Sequence, residues 1–187
     1  ARGTDPGQWH HALAHQFHLE TITTDHRGHA AELGARARVD RVDAVIALGG
    51  DGTANEIVNG MLGDEGPGPD LPAFGIVPGG SANVFSRSLG FPPDPIEATG
   101  EMIAALRQRR TRRISLGRAN GRWFLCNAGL GLDAEIIQAM EAARAKGKAA
   151  TPTRYLATTL RTFFRGTDRR ASSLVVIAPG HEPVRRV

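Results

Sequence analysis

Apolar residues along the chain recur at two spacings, which alternate from one segment to the next. In residues 7–17 and 27–39 they lie three and four positions apart, which predicts two helices. Residues 18–23, between them, alternate between polar and apolar side chains, which predicts a strand. We therefore expect the first part of the chain to run helix, strand, helix.

Two units of strand, glycine loop and helix follow. Short apolar runs at 43–48 and 73–78 predict buried strands, and each run leads into a pair of glycines. Helical spacing resumes at 53–62 and at 82–89, and a further helix is predicted at 96–109. The two units start about 30 residues apart, as in a βαβ step. We therefore expect an α/β fold with an open, mostly parallel sheet and helices on both faces.

The parallel pattern ends after the fifth helix. Two alternating runs flank Asn120 and Gly121, a pair typical of the tight turn of a β-hairpin because both residues accept positive φ. Helices are predicted at 132–148 and 151–165, and a strand begins within 172–187.

These elements predict that the chain is divided into two domains. We expect residues 1–112 to form an α/β domain, and residues 113–187 to hold the hairpin, two helices and the start of a second, β-rich domain that is mostly absent from this chain. The chain begins with Ala1, and its last predicted strand has no following partner. Both features indicate a fragment of a longer protein.

Composition narrows the class of protein. The formal net charge is +4 and the isoelectric point is about 10.2, which favours anionic partners such as phosphates or an acidic membrane surface. No apolar run approaches the roughly 20 residues of a membrane helix, and the start does not read as a signal peptide, so we expect a cytoplasmic protein. The single cysteine, Cys126, cannot form an internal disulfide and is expected to be a buried, inert thiol.

The first glycine loop, residues 49–53, reads Gly-Gly-Asp-Gly-Thr. Glycines between a buried strand and a helix bring backbone N–H groups and the positive end of the helix dipole close to a phosphate. Asp51 would repel that phosphate unless a divalent cation lay between them, so we expect it to serve nucleotide-bound Mg²⁺. The second loop, residues 79–83, would add N–H donors and the hydroxyl of Ser81.

Four segments, at 23–34, 49–60, 75–90 and 124–136, occur in the order of a known family. They read TTDHRGHAAELG, GGDGTANEIVNG, GIVPGGSANVFSRSLG and FLCNAGLGLDAEI. Together they resemble the diacylglycerol kinase catalytic domain family, bacterial lipid kinases grouped with sphingosine and ceramide kinases. The resemblance runs through nearly the whole chain.

The resemblance implies a nucleotide-binding α/β domain followed by a β-sandwich domain. ATP would lie in the cleft with Mg²⁺, and its phosphate would pass to a lipid hydroxyl, with Asp51 as the catalytic residue at the metal and phosphate end. The nucleotide contacts carried over by position are Thr24, Gly50, Asp51, Gly52, Thr53, Ala54, Asn55, Glu56 and Ser81. For Glu56, capping of a helix start is an equally good role. We expect ATP and a lipid at the inner membrane face as partners and no nucleic acid; the oligomeric state is left open.

The chain departs from the family pattern at two positions. Many members have aspartate where this chain has Val84 and Ser115, so the metal arrangement is left open. The family's first strand and its general base are expected to lie outside residues 1–187.

Three hypotheses follow. The leading one is a lipid kinase, for which Asp51→Ala is expected to leave the fold intact and to abolish phosphate transfer. The second is a kinase of a soluble substrate, such as a NAD kinase, which also uses Gly-Gly-Asp-Gly. The third is a non-catalytic nucleotide-binding module.

Three further features have a simpler interpretation. His11, His15 and His18 could share a helical face and bind a metal, but a solvated face is favoured because no second ligand cluster accompanies them. The basic run at 107–113 is more typical of a solvated helix end than of a lipid contact. The helix at 151–165 could face a membrane, although core packing is the favoured role.

Overall fold

A computed structural model describes residues 17–129, 131–145, 151–165, 174–176 and 184–186. The helix predicted at 7–17 lies outside these residues, apart from Phe17. Contacts divide the chain into two compact units, Ala1–Ala128 and Gly129–Val187. The domain boundary predicted after residue 112 stays a prediction.

The first unit contains eight regular elements in its described residues. In chain order they are α1 (His29–Val39), β1 (Ala44–Gly49), α2 (Asp51–Leu62), β2 (Ala73–Pro78), α3 (Val84–Ser88), α4 (Pro95–Arg107), β3 (Gly117–Ala119) and β4 (Arg122–Phe124). The strand predicted at 18–23 is wrong, since these residues form no regular element. An alternating pattern yields a strand only where a neighbour pairs with its backbone, and no described strand does so here.

The strands β1 and β2 pair in parallel. Their register runs from Ala44 opposite Ala73 to Gly49 opposite Pro78, so both strands end at the same edge of the sheet. This arrangement confirms the predicted α/β fold with parallel strands. It also brings the two glycine loops, which follow these strands, to one edge.

Helices cover both faces of the sheet. Ile76 of β2 is fully buried and belongs to a cluster with Ala54 of α2 and Ala30 of α1. The next residue, Val77, points to the opposite face and packs in a second cluster with Met102 of α4. Successive side chains of a strand point to opposite faces, and each face here has its own helices.

The helices α1 and α2 approach closely through small residues. A Cβ atom at Gly60 would collide with the carbonyl of Ala31, and one at Gly34 would collide with the carbonyl of Ile57. Side chains at either glycine would force the two helices apart. Their close packing brings the start of α1 beside α2.

The hairpin forms at the predicted turn and docks on α2. Asn120 and Gly121 have φ of 49° and 78°, as the tight turn requires. The side-chain amide of Asn59 pairs with the backbone of Trp123: Trp123 N–H donates to Oδ1, and Nδ2 donates to the Trp123 carbonyl, each at 2.9 Å. The indole N–H of Trp123 also donates to the Gly63 carbonyl at 3.0 Å, at the end of α2.

The second unit contains α5 (Leu132–Ala145), α6 (Pro152–Arg165) and a pair of antiparallel strands, β5 (Leu174–Val176) and β6 (Val184–Arg186). The expectation that the last predicted strand has no partner after it is therefore wrong, since β6 pairs with β5. Both helices were predicted, and α5 packs on α6. None of the helices in the described residues combines the length and apolar character that crossing a membrane would need.

Candidate active site

The two glycine loops touch each other at the edge of the sheet. Gly79 N–H donates to the Gly49 carbonyl at 2.9 Å. A Cβ atom at Gly80 would lie 2.6 Å from the Cα of Gly50, closer than real Cβ contacts allow. The glycines at the contact therefore allow the two loops to approach each other. The sequence predicted only a phosphate-binding role for them.

The helix α2 starts within the first loop. It begins at Asp51, two residues earlier than predicted, with Gly50 as its N-cap. Gly50 offers no side-chain cap, so the first-turn N–H groups are open to a ligand or to water. Gly52 lies in this turn, and a Cβ atom there would meet nothing within 4 Å. Packing within the described residues therefore does not explain the glycine at this position.

The carboxylate of Asp51 joins the two loops. Its Oδ1 accepts the N–H of Phe85 at 2.9 Å, and its Oδ2 accepts the N–H of Val84 at 3.1 Å. Asp51 thus caps α3, whose N-terminus carries partial positive charge. The sequence interpretation supposed that only a cation could balance this acid, but the protein supplies two donors. Asp51→Ala would remove both hydrogen bonds, which argues against the expectation that this substitution leaves the fold intact.

Asn83 closes the second loop. It adopts the left-handed conformation, with φ of 48°, and its side chain makes two hydrogen bonds to the backbone of Gly80. Gly80 N–H donates to Oδ1 at 2.8 Å, and Nδ2 donates to the Gly80 carbonyl at 2.9 Å. Ser81 lies exposed within this closed turn. The sequence interpretation missed Asn83, although asparagine is among the few residues that tolerate this conformation.

Glu56 connects α2 to the start of α1. Its Oε2 accepts the N–H of Gly28, the N-cap residue of α1, at 3.1 Å. It caps the neighbouring helix rather than its own. Thr24 lies exposed in the segment that leads into α1. An open groove of about 530 Å³ lies at this contact and extends to the hairpin turn, with Arg27, Gly28 and Glu56 in its lining.

The remaining predicted contacts belong to α2. Thr53 packs against Gly49, where a Cβ atom would lie 3.1 Å from the Thr53 hydroxyl oxygen. Ala54 is fully buried, and its N–H donates to the Gly50 carbonyl. The carbonyl of Asn55 accepts from Asn59 Nδ2 at 2.7 Å. Nucleotide contacts through these three residues stay predictions.

The single cysteine differs from its prediction. Cys126 is exposed, not buried. Partial burial of its thiol and the negative charge of Asp51 raise the pKa of Cys126 above its ordinary value. Both effects disfavour the thiolate, which is the reactive form.

The two positions where the family often has aspartate are solvent-exposed. Val84 holds Asp51 through its backbone N–H, while the residue as a whole is 46% exposed. Ser115 is exposed as well. Because the contact to Asp51 uses the main chain, it does not depend on an acidic side chain at position 84.

Comparison with known proteins agrees with the resemblance noted in the sequence. The family model of the diacylglycerol kinase catalytic domain matches residues 7–119. Diacylglycerol kinase of Bacillus subtilis (strain 168) is 35% identical over 116 residues, which are 62% of this chain and 36% of the relative. Diacylglycerol kinase of Staphylococcus saprophyticus is 34% identical over 109 residues, 58% of this chain and 33% of the relative. The chain therefore spans about a third of the length of these curated relatives.

Solved structures give the same result. A crystal structure of a protein assigned as a diacylglycerol kinase, from Bacillus anthracis str. Sterne, matches with a TM-score of 0.55 and 30% identity. The match covers 66% of this chain and 44% of that one. A second structure of such a protein from the same strain has a TM-score of 0.53 and 31% identity, covering 73% of this chain and 43% of the other.

Proposed function

Because the chain belongs to the diacylglycerol kinase catalytic domain family, we propose that the protein is a lipid kinase. It transfers the γ-phosphate of ATP to the hydroxyl of diacylglycerol or a related lipid. The observation that carries the proposal is the start of α2 at two touching glycine loops, with open space beside Gly52. A lipid substrate also implies that the protein works at a membrane surface.

The start of α2 suits the phosphates of a nucleotide. Its first-turn N–H groups have no side-chain cap, and the helix dipole adds partial positive charge there. A side chain at position 52 would fill the space beside these donors, whereas Gly52 leaves it open. Ser81, exposed in the neighbouring loop, offers a hydroxyl to the same anion.

Asp51 fits a role at Mg²⁺. Each of its carboxylate oxygens accepts one backbone N–H, and a carboxylate has about four lone-pair sites, so acceptor capacity remains for a cation or its water. Carboxylate oxygens are ligands that Mg²⁺ prefers. When bound, Mg²⁺ neutralises charge on the transferring phosphate.

The chain's own residues would act by positioning. Phosphoryl transfer depends mainly on orientation and electrostatic stabilisation rather than on covalent catalysis. The N–H groups of α2 hold the phosphates, while Asp51 fixes the second loop against the first through Val84 and Phe85. Asn83 keeps that loop closed.

A direct test is transfer of labelled phosphate from ATP by the intact protein with Mg²⁺. Three reactions run in parallel, with diacylglycerol in mixed micelles, with NAD, and without an acceptor. The proposal predicts label in the lipid. Label in NAD would instead identify a kinase of a soluble substrate. A rise in Tm with ATP but no label in either acceptor would identify a non-catalytic module, and either result would overturn the proposal.

A further inference from the structure

A group of two histidines and one carboxylate lies where the chain enters α1. Asp25, His26 and His29 each offer one ligand atom, and these atoms lie within 4.8 Å of one another. Asp25 Oδ1 is 2.8 Å from His29 Nδ1 and 3.4 Å from His26 Nε2. The two imidazole rings stack, with centroids 4.8 Å apart. None of the three residues is among the predicted nucleotide contacts.

The hydrogen bond of His26 fixes which of its nitrogens can bind a cation. His26 Nδ1 lies 3.1 Å from the carbonyl of Arg27, which can only accept, so Nδ1 carries the proton. In the neutral ring, Nε2 then keeps its lone pair and faces the Asp25 carboxylate. These two electron-rich atoms repel unless a proton or a metal ion lies between them. Histidines that bind metals commonly donate their other N–H to a backbone carbonyl in this way.

His29 also directs a ring nitrogen at the Asp25 carboxylate. Its Nδ1 lies 2.8 Å from Asp25 Oδ1 and 3.3 Å from the backbone nitrogen of Asp25. At 2.8 Å a proton or a metal ion must lie between the nitrogen and the carboxylate oxygen. A metal ion placed among the three ligand atoms would take the place of the protons between the two rings and the carboxylate. It would also displace the long contact from the Asp25 N–H, in an exposed segment where water can replace it.

We propose that Asp25, His26 and His29 bind one divalent transition-metal ion of the Zn²⁺ type. Zn²⁺ binds imidazole nitrogen at about 2.0–2.1 Å and carboxylate oxygen at about 2.0–2.2 Å, so two ligands of one ion lie at most about 4 Å apart. The observed separations need only small rotations to reach this geometry. Two imidazoles with one carboxylate favour Zn²⁺ over Mg²⁺, which prefers oxygen ligands.

The proposed site leaves part of the ion's coordination sphere free of protein ligands. Three protein ligands leave at least one position of a tetrahedral ion for water or an anion. Its ligands extend from the segment before α1 into the first turn of that helix, next to Gly28, whose N–H is held by Glu56. A bound ion would therefore fix the segment to the helix start. The site does not depend on the proposed kinase activity.

The test is Zn²⁺ binding to the intact protein, measured by calorimetry and by competition with a chromophoric chelator. We expect His26→Ala and His29→Ala each to weaken Zn²⁺ binding at least about tenfold, since even changes to residues that only orient metal ligands cost 10–100-fold. Asp25→Asn should weaken it as well. His18→Ala removes another exposed histidine and should leave it unchanged. Excess Mg²⁺ should not compete.

A second measurement separates this site from other histidines. Co²⁺ bound in place of Zn²⁺ should give a visible spectrum that is lost in the His26→Ala/His29→Ala double variant. Circular dichroism with a chelator present checks that the variants fold. Absence of Zn²⁺ binding in the parent protein would overturn the proposal. Binding that survives in the double variant, or that disappears instead in His11→Ala/His15→Ala, would overturn it too.

Discussion

The carboxylate of Asp51 accepts the backbone N–H of Phe85 at 2.9 Å, a contact between residues 34 positions apart in the chain. It ties the first turn of α2 to the start of α3 and so fixes the two glycine loops relative to each other. The same residue is the candidate ligand for Mg²⁺. Loss of activity on its substitution would therefore not distinguish a chemical role from a structural one, and a measurement of stability is needed beside it.

Asp51→Ala should lower the free energy of unfolding. Two backbone N–H groups at the start of α3 lose their acceptor. Hydrogen bonds to charged groups contribute about 1.5–3 kcal/mol each to stability, and less where water can replace the lost partner. We expect a net loss of about 1–3 kcal/mol in urea denaturation. An unchanged midpoint would mean that the carboxylate does not hold the second loop.

Asp94 provides a matched control for that variant. Its Oδ1 accepts the N–H groups of Ile96 and Glu97 at the start of α4, so Asp94→Ala should cost about 1 kcal/mol through loss of the cap. The affinity for MgATP should fall in Asp51→Ala and stay unchanged in Asp94→Ala. Equal affinities in the two variants would argue against a role of Asp51 at the nucleotide.

Gly80→Ala tests the contact between the loops. The new methyl group would lie 2.6 Å from the Cα of Gly50, and backbone cannot move aside as a flexible side chain can. We expect a loss of about 1–3 kcal/mol, the usual cost of overpacking, read as a lower Tm. A Tm equal to that of the parent would show that the loops have room that the structure does not indicate.

The sequence predicted the elements whose signals are local. The apolar runs of β1 and β2, and the turn at Asn120 and Gly121, formed as expected because periodicity and turn preference act over a few residues. The strand at 18–23 was wrong because a strand needs a partner, which an alternating pattern alone does not supply.

The meeting of the two glycine loops was predictable from the sequence, but their internal contacts were not. Two strands predicted to be parallel place the loops that follow them at one edge of the sheet, and the structure confirms this placement. The bonds from Asp51 to α3 and from Glu56 to Gly28 join segments 28 or more residues apart, and no local signal marks them. The exposure of Cys126 was missed for the same reason, since burial depends on which segments cover a residue.

Asn59→Ala should release the hairpin from α2. The variant removes both hydrogen bonds to the backbone of Trp123, which is half-buried. We expect faster hydrogen exchange at the Trp123 amide and a loss of about 1–3 kcal/mol. Gln138→Ala, which removes an exposed amide from α5, should change neither quantity. Unaltered exchange in Asn59→Ala would mean that the hairpin is held by other contacts.

The thiol of Cys126 should react slowly near neutral pH. Partial burial and the charge of Asp51 raise its pKa, so less thiolate is present at a given pH than in an ordinary cysteine. The rate of alkylation by iodoacetamide should therefore rise with pH through a pKa above that of the urea-unfolded protein. Asp51→Asn removes the negative charge and so lowers the pKa of Cys126. Alkylation should therefore be faster in this variant at pH values below that pKa. A slower reaction in that variant would contradict the assigned cause.

The most direct test of the nucleotide site compares two glycines in helices. Among the described residues, and apart from the neighbouring backbone of its own helix, a Cβ atom added at Gly52 or at Gly100 would meet no atom within 4 Å, and neither glycine needs positive φ. Alanine at either position should leave the fold intact and add up to about 1 kcal/mol of stability, because glycine is unfavourable within helices. MgATP affinity, measured by calorimetry, should fall at least about tenfold in Gly52→Ala, or roughly 1.4 kcal/mol, and stay unchanged in Gly100→Ala. Full MgATP affinity in a folded Gly52→Ala protein would contradict the account.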